Sequence, residues 1–180
     1  MALEFLEYGG SESVDSKMPE GRGGWSPPQL GSYKMSIACH FGAASTQVGV
    51  GILIRDHEGL VVVAAGFVLQ KYADQISNLA FAVFYALQLA YETGFRDSIV
   101  LEVPSRELMG LIHLDTPCLA PSGVVIEDIH AWRGFFSSIQ FVFISNVCNK
   151  ASYALATEAA SSNLDQVWLE ECPPCIIPFV

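Results

Sequence analysis

The chain has 180 residues, a length that suits one domain, and 51% of them are hydrophobic, ample for a core. Nineteen Asp and Glu against nine Lys and Arg leave a formal charge of −10, which repels a phosphate backbone unless folding gathers the few cations. No run reaches the roughly 18 apolar residues of a membrane span, and the acidic opening MALEFLEYGG has no apolar run of signal-peptide length.

Five cysteines, an odd number, in a chain with no Asn-x-Ser/Thr sequon point to reduced thiols and to the cytoplasm or nucleus. Residues 1–24 are rich in Gly, Ser and Glu with little patterning and read as an arm outside the fold. The domain is expected over residues 25–180. Its entry, Trp25-Ser-Pro-Pro, is held extended by the two prolines.

Residues 34–66 organise the rest. Tyr33, Met35 and Ile37 alternate with Lys34, Ser36 and Ala38, the period of a half-buried strand. Val48, Val50, Ile52 and Ile54 repeat the alternation, and residues 60–65 form a third apolar run. Asp56-His-Glu-Gly59 interrupts them with a glycine suited to positive φ. This predicts an antiparallel meander with its tightest turn at residues 55–59. Gly49-Val-Gly51 is expected to precede a strand rather than a helix, so it is no phosphate loop.

Residues 74–94 predict a helix. Asp74 or Ser77 suits its start and Gly94 its end, with a stripe through Leu79, Ala82, Val83, Ala86, Leu87 and Ala90 at helical spacing. Phe81, Phe84 and Tyr85 make it apolar on more than one side. It is therefore either crossed by other elements or faces a partner. Residues 98–103 read as a buried strand. Pro104 fits the first position of a helix over 105–113. A Pro-rich connection, a helix over 124–136, a strand over 137–144 and a helix over 149–163 follow.

The residues along this path resemble the plant ribonuclease H-like domains related to the nuclease part of retroelement reverse transcriptases. The resemblance rests on Lys34 four residues before Ala38, on the hairpin Gly49-Val-Gly-Ile-Leu-Ile-Arg-Asp-His-Glu-Gly59, on Glu102-Val-Pro-Ser105, on Asn149-Lys-Ala-Ser-Tyr-Ala-Leu-Ala156, and on the ending Trp168-Leu-Glu-Glu. It spans roughly residues 25–177. It implies an α/β fold with a mixed five-stranded sheet, three antiparallel strands then two more, and helices on both faces.

The resemblance also implies four acidic metal ligands. The matching positions are read as Ala38, Phe81, Pro104 and Tyr153. No Asp or Glu lies within residues 34–50, 75–91 or 151–157, so small shifts of the match restore nothing. Two-metal hydrolysis needs convergent carboxylates around paired Mg²⁺ ions. No catalytic residue, metal or cofactor is therefore expected. Glu102 alone cannot hold two ions and reads as a hydrogen-bonded strand residue. Cys172-Pro-Pro-Cys175 is half a zinc site, and the four histidines share no metal spacing.

Three functions remain open. The first is a pseudo-enzyme that acts through protein–protein contact or self-association, with Phe81, Phe84, Tyr85, Pro104 and Tyr153 as the surface, unless these residues merely fill the void left by the acids. The second is binding of an RNA–DNA hybrid without cleavage. The third is an active hybrid ribonuclease.

Overall fold

The computed structural model describes residues 24–42 and 45–180. Nearly all of the expected arm lies outside the described residues. The predicted mixed α/β sheet is present, with one strand more than the sequence reading allowed.

Strands β1 (Ser32–Phe41), β2 (Gln47–Arg55) and β3 (Val61–Gln70) form the meander. Lys34 lies opposite Arg55 and Ala38 opposite Gly51 in the first antiparallel pair. The β2–β3 turn is built as its residues demand. The Asp56 carboxylate accepts from the backbone N–H groups of Glu58 and Leu60, each at 2.9 Å, and Gly59 takes φ +84°.

Helix α1 (Gln75–Glu92) follows. Asp74, not Ser77, is its cap. Its side chain accepts from the Ser77 N–H at 2.7 Å and from the Ser77 hydroxyl at 2.7 Å, and these bonds hold the Asp74 carboxyl below its ordinary range. Strand β4 (Ser98–Val103) returns parallel to β1 and pairs Glu102 with Ser36. Helix α2 is Arg106–Ile112. Pro104 is not its first residue: the Ser105 hydroxyl accepts from the Leu108 N–H at 3.1 Å, so Ser105 is the cap and Pro104 stays outside. Helix α3 (Gly123–Arg133), strand β5 (Ser138–Phe143) and helix α4 (Lys150–Ser162) complete the expected order.

The tail corrects the five-strand expectation. Gln166–Leu169 forms β6, antiparallel to β3 with Ala65 opposite Val167, and Pro174–Phe179 winds into a 3₁₀ turn. The sheet order is β5-β4-β1-β2-β3-β6.

Both faces are covered, which is why β2 is buried from Val48 to Arg55 and β1 from Met35 to Cys39 rather than on one side. One face, through Met35, Ile37, Val50, Ile52 and Leu101, packs on α1 with α2 and α3 beside it. The other, through Leu53 and Ala64, packs on Ala151 and Leu155 of α4 and on Ile176. Gly49 and Gly51 lie inside β2, not before a strand. A Cβ on either would collide with carbonyl oxygens of α4, so the helix rests directly on the strand's backbone.

Candidate functional site

At the carboxyl ends of the parallel pair β1 and β4 the sheet opens into a cleft of about 900 Å³. Ala38 reaches it from β1, Pro104 from the end of β4, Leu79 from α1 and Tyr153 from the first turn of α4. Three of the four positions marked in the sequence are thus brought together. Phe81 is not. It stacks on Tyr72 with ring centroids 4.6 Å apart and planes 9° apart, away from the cleft.

Helix geometry explains the difference. Residues two apart point to opposite sides of a helix, so only one of Leu79 and Phe81 can face β1. The stripe Leu79, Ala82, Val83, Ala86, Leu87 and Ala90 is the buried face of α1, and Leu79 lines the cleft at its end. That spacing was the available signal.

The other expected contact residues divide as well. Phe84 meets Trp132 of α3 edge-on at 6.2 Å and Tyr85 meets Phe67 of β3 at 5.8 Å. They belong to an aromatic layer between α1, α3 and β3, apart from Pro104 and Tyr153.

The cleft's donor set does not suit a pair of Mg²⁺ ions, which take hard oxygens in near-octahedral array. Ala38, Leu79 and Pro104 offer no side-chain oxygen. The Tyr153 hydroxyl lies 3.0 Å from His40 Nδ1. Glu158 is the carboxylate among the lining residues. Among the described residues no three or more His, Cys, Asp or Glu side chains come together in a metal-binding group. The remaining polar lining includes Lys150 and Asn149, whose Nδ2 donates to the Ile37 carbonyl at 2.7 Å and fixes α4 against β1. Cys39 is buried, and burial pushes its thiol up to about 12.

Glu102 is occupied elsewhere. It is 6% exposed, accepts from Trp25 Nε1 at 3.0 Å and from the Ser36 hydroxyl, and pairs with Lys34 at 3.5 Å. The Arg55 guanidinium lies 3.2 Å from the Trp25 ring centre. Burial pulls that guanidinium down to about 10, against the opposing pull of Glu102. The first described tryptophan is thus tied into the sheet by a charged cluster. Cys172 is exposed and Cys175 half-buried, and no disulfide occurs among the described residues. No helix among them is long and apolar enough to cross a membrane.

Residues 38–159 match the family model described as "Reverse transcriptase-like". The chain matches no curated protein sequence. Among solved structures it is similar to ribonuclease H1 from Halobacterium salinarum NRC-1, at 19% identity and a TM-score of 0.65 over 73% of this chain and 99% of that one. It is also similar to the N-terminal RNase H domain of Rv2228c from Mycobacterium tuberculosis, at 13% identity and a TM-score of 0.62 over 74% and 99%. A third similar structure is LC11-RNase H1 in complex with an RNA/DNA hybrid, at 16% identity and a TM-score of 0.58 over 73% and 98%. The family match spans well over half of the sequence, and the sheet and helices have the ribonuclease H arrangement: the chain belongs to the reverse transcriptase-like family and has a ribonuclease H-like fold.

Proposed function

We propose that this chain is a catalytically inactive ribonuclease H-like protein that works by binding, with another protein as its partner and the cleft at the ends of β1 and β4 as the point of contact. One observation carries the reading. The cleft is lined by Ala38, Leu79, Pro104 and Tyr153, none of them a carboxylate, and the apolar part of its surface exceeds the polar part. Apolar surface in a cleft favours a protein or peptide partner over a phosphate backbone. The charge of −10 points the same way.

A second reading is binding or cleavage of an RNA–DNA hybrid. It is favoured by the similarity to a ribonuclease solved with such a hybrid and by Lys150 beside the cleft.

Cleavage of a labelled RNA–DNA hybrid in Mg²⁺ and then Mn²⁺ tests both. No cleavage and no binding at low salt are expected. Cleavage that disappears in Tyr153→Ala would sink the inactive reading. Hybrid binding whose affinity falls steeply with salt would replace the protein partner by nucleic acid.

A further inference from the structure

The open edge of the sheet at β5 gathers charge and apolar surface in a way the cleft does not explain. Among the described residues β5 pairs with β4 alone. The N–H groups at both ends of the strand point to β4: Ser138 donates to the Asp97 carbonyl and Ile144 to the Val103 carbonyl, each at 3.1 Å. Backbone groups alternate along a strand, so those of Ile139, Phe141 and Phe143 point to the open side. The strand reads Ser-Ile-Gln-Phe-Val-Phe. It holds no charge, proline or glycine, the devices by which natural edges are blunted.

Two arginines, Arg106 and Arg133, flank this edge, and a third begins it. Arg96 lies at its start, where its carbonyl accepts from the Ser137 N–H at 2.9 Å, while its Nε donates to the Tyr91 carbonyl at 2.9 Å and its guanidinium stacks 3.8 Å from the Tyr91 ring centre. The Arg133 guanidinium sits 5.5 Å from the Phe141 ring centre, and that of Arg106 sits 4.0 Å from Phe143. All three side chains are exposed, and none forms an ion pair with a carboxylate among the described residues. Asp97 and Glu107 adjoin the outer two in sequence and stay unpaired with them. Counted against Asp97 and Glu107, the arginines leave a small positive excess on a chain of net −10.

We propose that the β5 edge docks an acidic, extended peptide segment of a partner protein. The segment would add as a seventh strand. Main-chain bonds to Ile139, Phe141 and Phe143 would supply affinity, and Arg106 and Arg133 would read carboxylates. A second copy of this chain fits poorly. Antiparallel β5–β5 pairing would bring Arg133 near its own counterpart. The edge lies outside the cleft, so the inference stands whatever the cleft binds.

The test uses the full chain and a fluorescent eight-residue peptide of alternating Glu and Val, with a Lys/Val peptide and an eight-nucleotide oligo(dT) as rivals. The Glu/Val peptide is expected to bind, with amide hydrogen exchange slowing at Ile139, Phe141 and Phe143. The pair Arg106→Glu and Arg133→Glu should weaken binding about tenfold or more. Ile139→Pro removes an outward N–H that β4 does not use and should also weaken it. If that variant misfolds, the exchange pattern on the unaltered chain still decides. Binding without slowed exchange at those amides would overturn the proposal, as would equal affinity for the Lys/Val peptide. Tighter, arginine-dependent binding of oligo(dT) would assign the patch to phosphates. A dimer that strengthens in the charge-reversed variant would assign it to self-pairing. Amides already protected in the full chain and released on deletion of residues 1–23 would assign it to the chain's own acidic segment.

Discussion

Gly51 on β2 faces the carbonyl oxygen of Ser152 on α4 so closely that a Cβ has no room between them; the same Cβ would sit 2.7 Å from the Ala156 nitrogen. Both obstacles are helix backbone, which cannot swing aside as a side chain can. Gly51→Ala must push α4 off the sheet. The expected loss is about 2–3 kcal/mol, in the range of other overpacked cores. Urea unfolding checks it. A midpoint equal to that of the unaltered protein would mean that α4 does not rest on β2. Gly49→Ala, against the Ala156 carbonyl, should behave alike.

Asp74 gives a pH signature. Its bonds from Ser77 lower the folded-state pKa from the ordinary 3.8. The bonds favour the ionised form, so the stability they contribute is complete above 3.8 and is lost as pH falls through the depressed folded value. Asp74→Ala should cost about 1 kcal/mol at pH 7, the usual worth of such a cap. The two proteins should converge in stability well below the ordinary carboxylate range. A cost that persists undiminished in acid would assign Asp74 a role other than the charged cap.

The choice between Leu79 and Phe81 can be made by rebuilding the acids. A chain carrying Ala38→Asp, Leu79→Glu, Pro104→Asp and Tyr153→Asp brings four carboxylates into one cleft. Divalent metal should stabilise it. At a hundred times the dissociation constant the gain is about 2.7 kcal/mol. Replacing Leu79→Glu by Phe81→Glu should remove much of that response, because Phe81 lies against Tyr72. Thermal unfolding with and without Mn²⁺ reads the difference. A stronger response in the Phe81 version would return the position to Phe81.

Helix α1 was legible because three independent signals agree: the Asp74 cap, the apolar stripe and Gly94. The meander was legible for the same reason, with alternation and the Asp56–Gly59 turn pointing one way. β6 was not. Gln166-Val-Trp-Leu shows no alternation strong enough to name a strand, and its state comes from pairing with β3. Flanking residues place Ala38, Pro104 and Tyr153 in the match, and the structure puts all three at one cleft. At α1 a helix dense in alanines accepts two registers, and Leu79, which lines the cleft where Phe81 does not, carries no chemistry that would single it out. Apolar residues advertise burial, never which cavity they face.

Glu102 combines burial with three partners. Trp25, Ser36 and Lys34 all address its carboxylate, and Arg55 stacks on Trp25 beside it. Removing one member of a buried charged cluster leaves the others unsatisfied, which costs more than the pairing itself contributes. Glu102→Ala should therefore lower stability by about 3 kcal/mol. Glu102→Gln, which keeps an oxygen for the Trp25 indole, should cost less. Trp25→Ala should cost a comparable amount and expose Arg55 to water, raising its pKa toward the ordinary range from about 10. Unfolding of the three variants, beside tryptophan emission near residue 25, tests the cluster as a unit. If Glu102→Ala is as stable as the unaltered chain, the carboxylate is not the pin that ties the entry segment to the sheet.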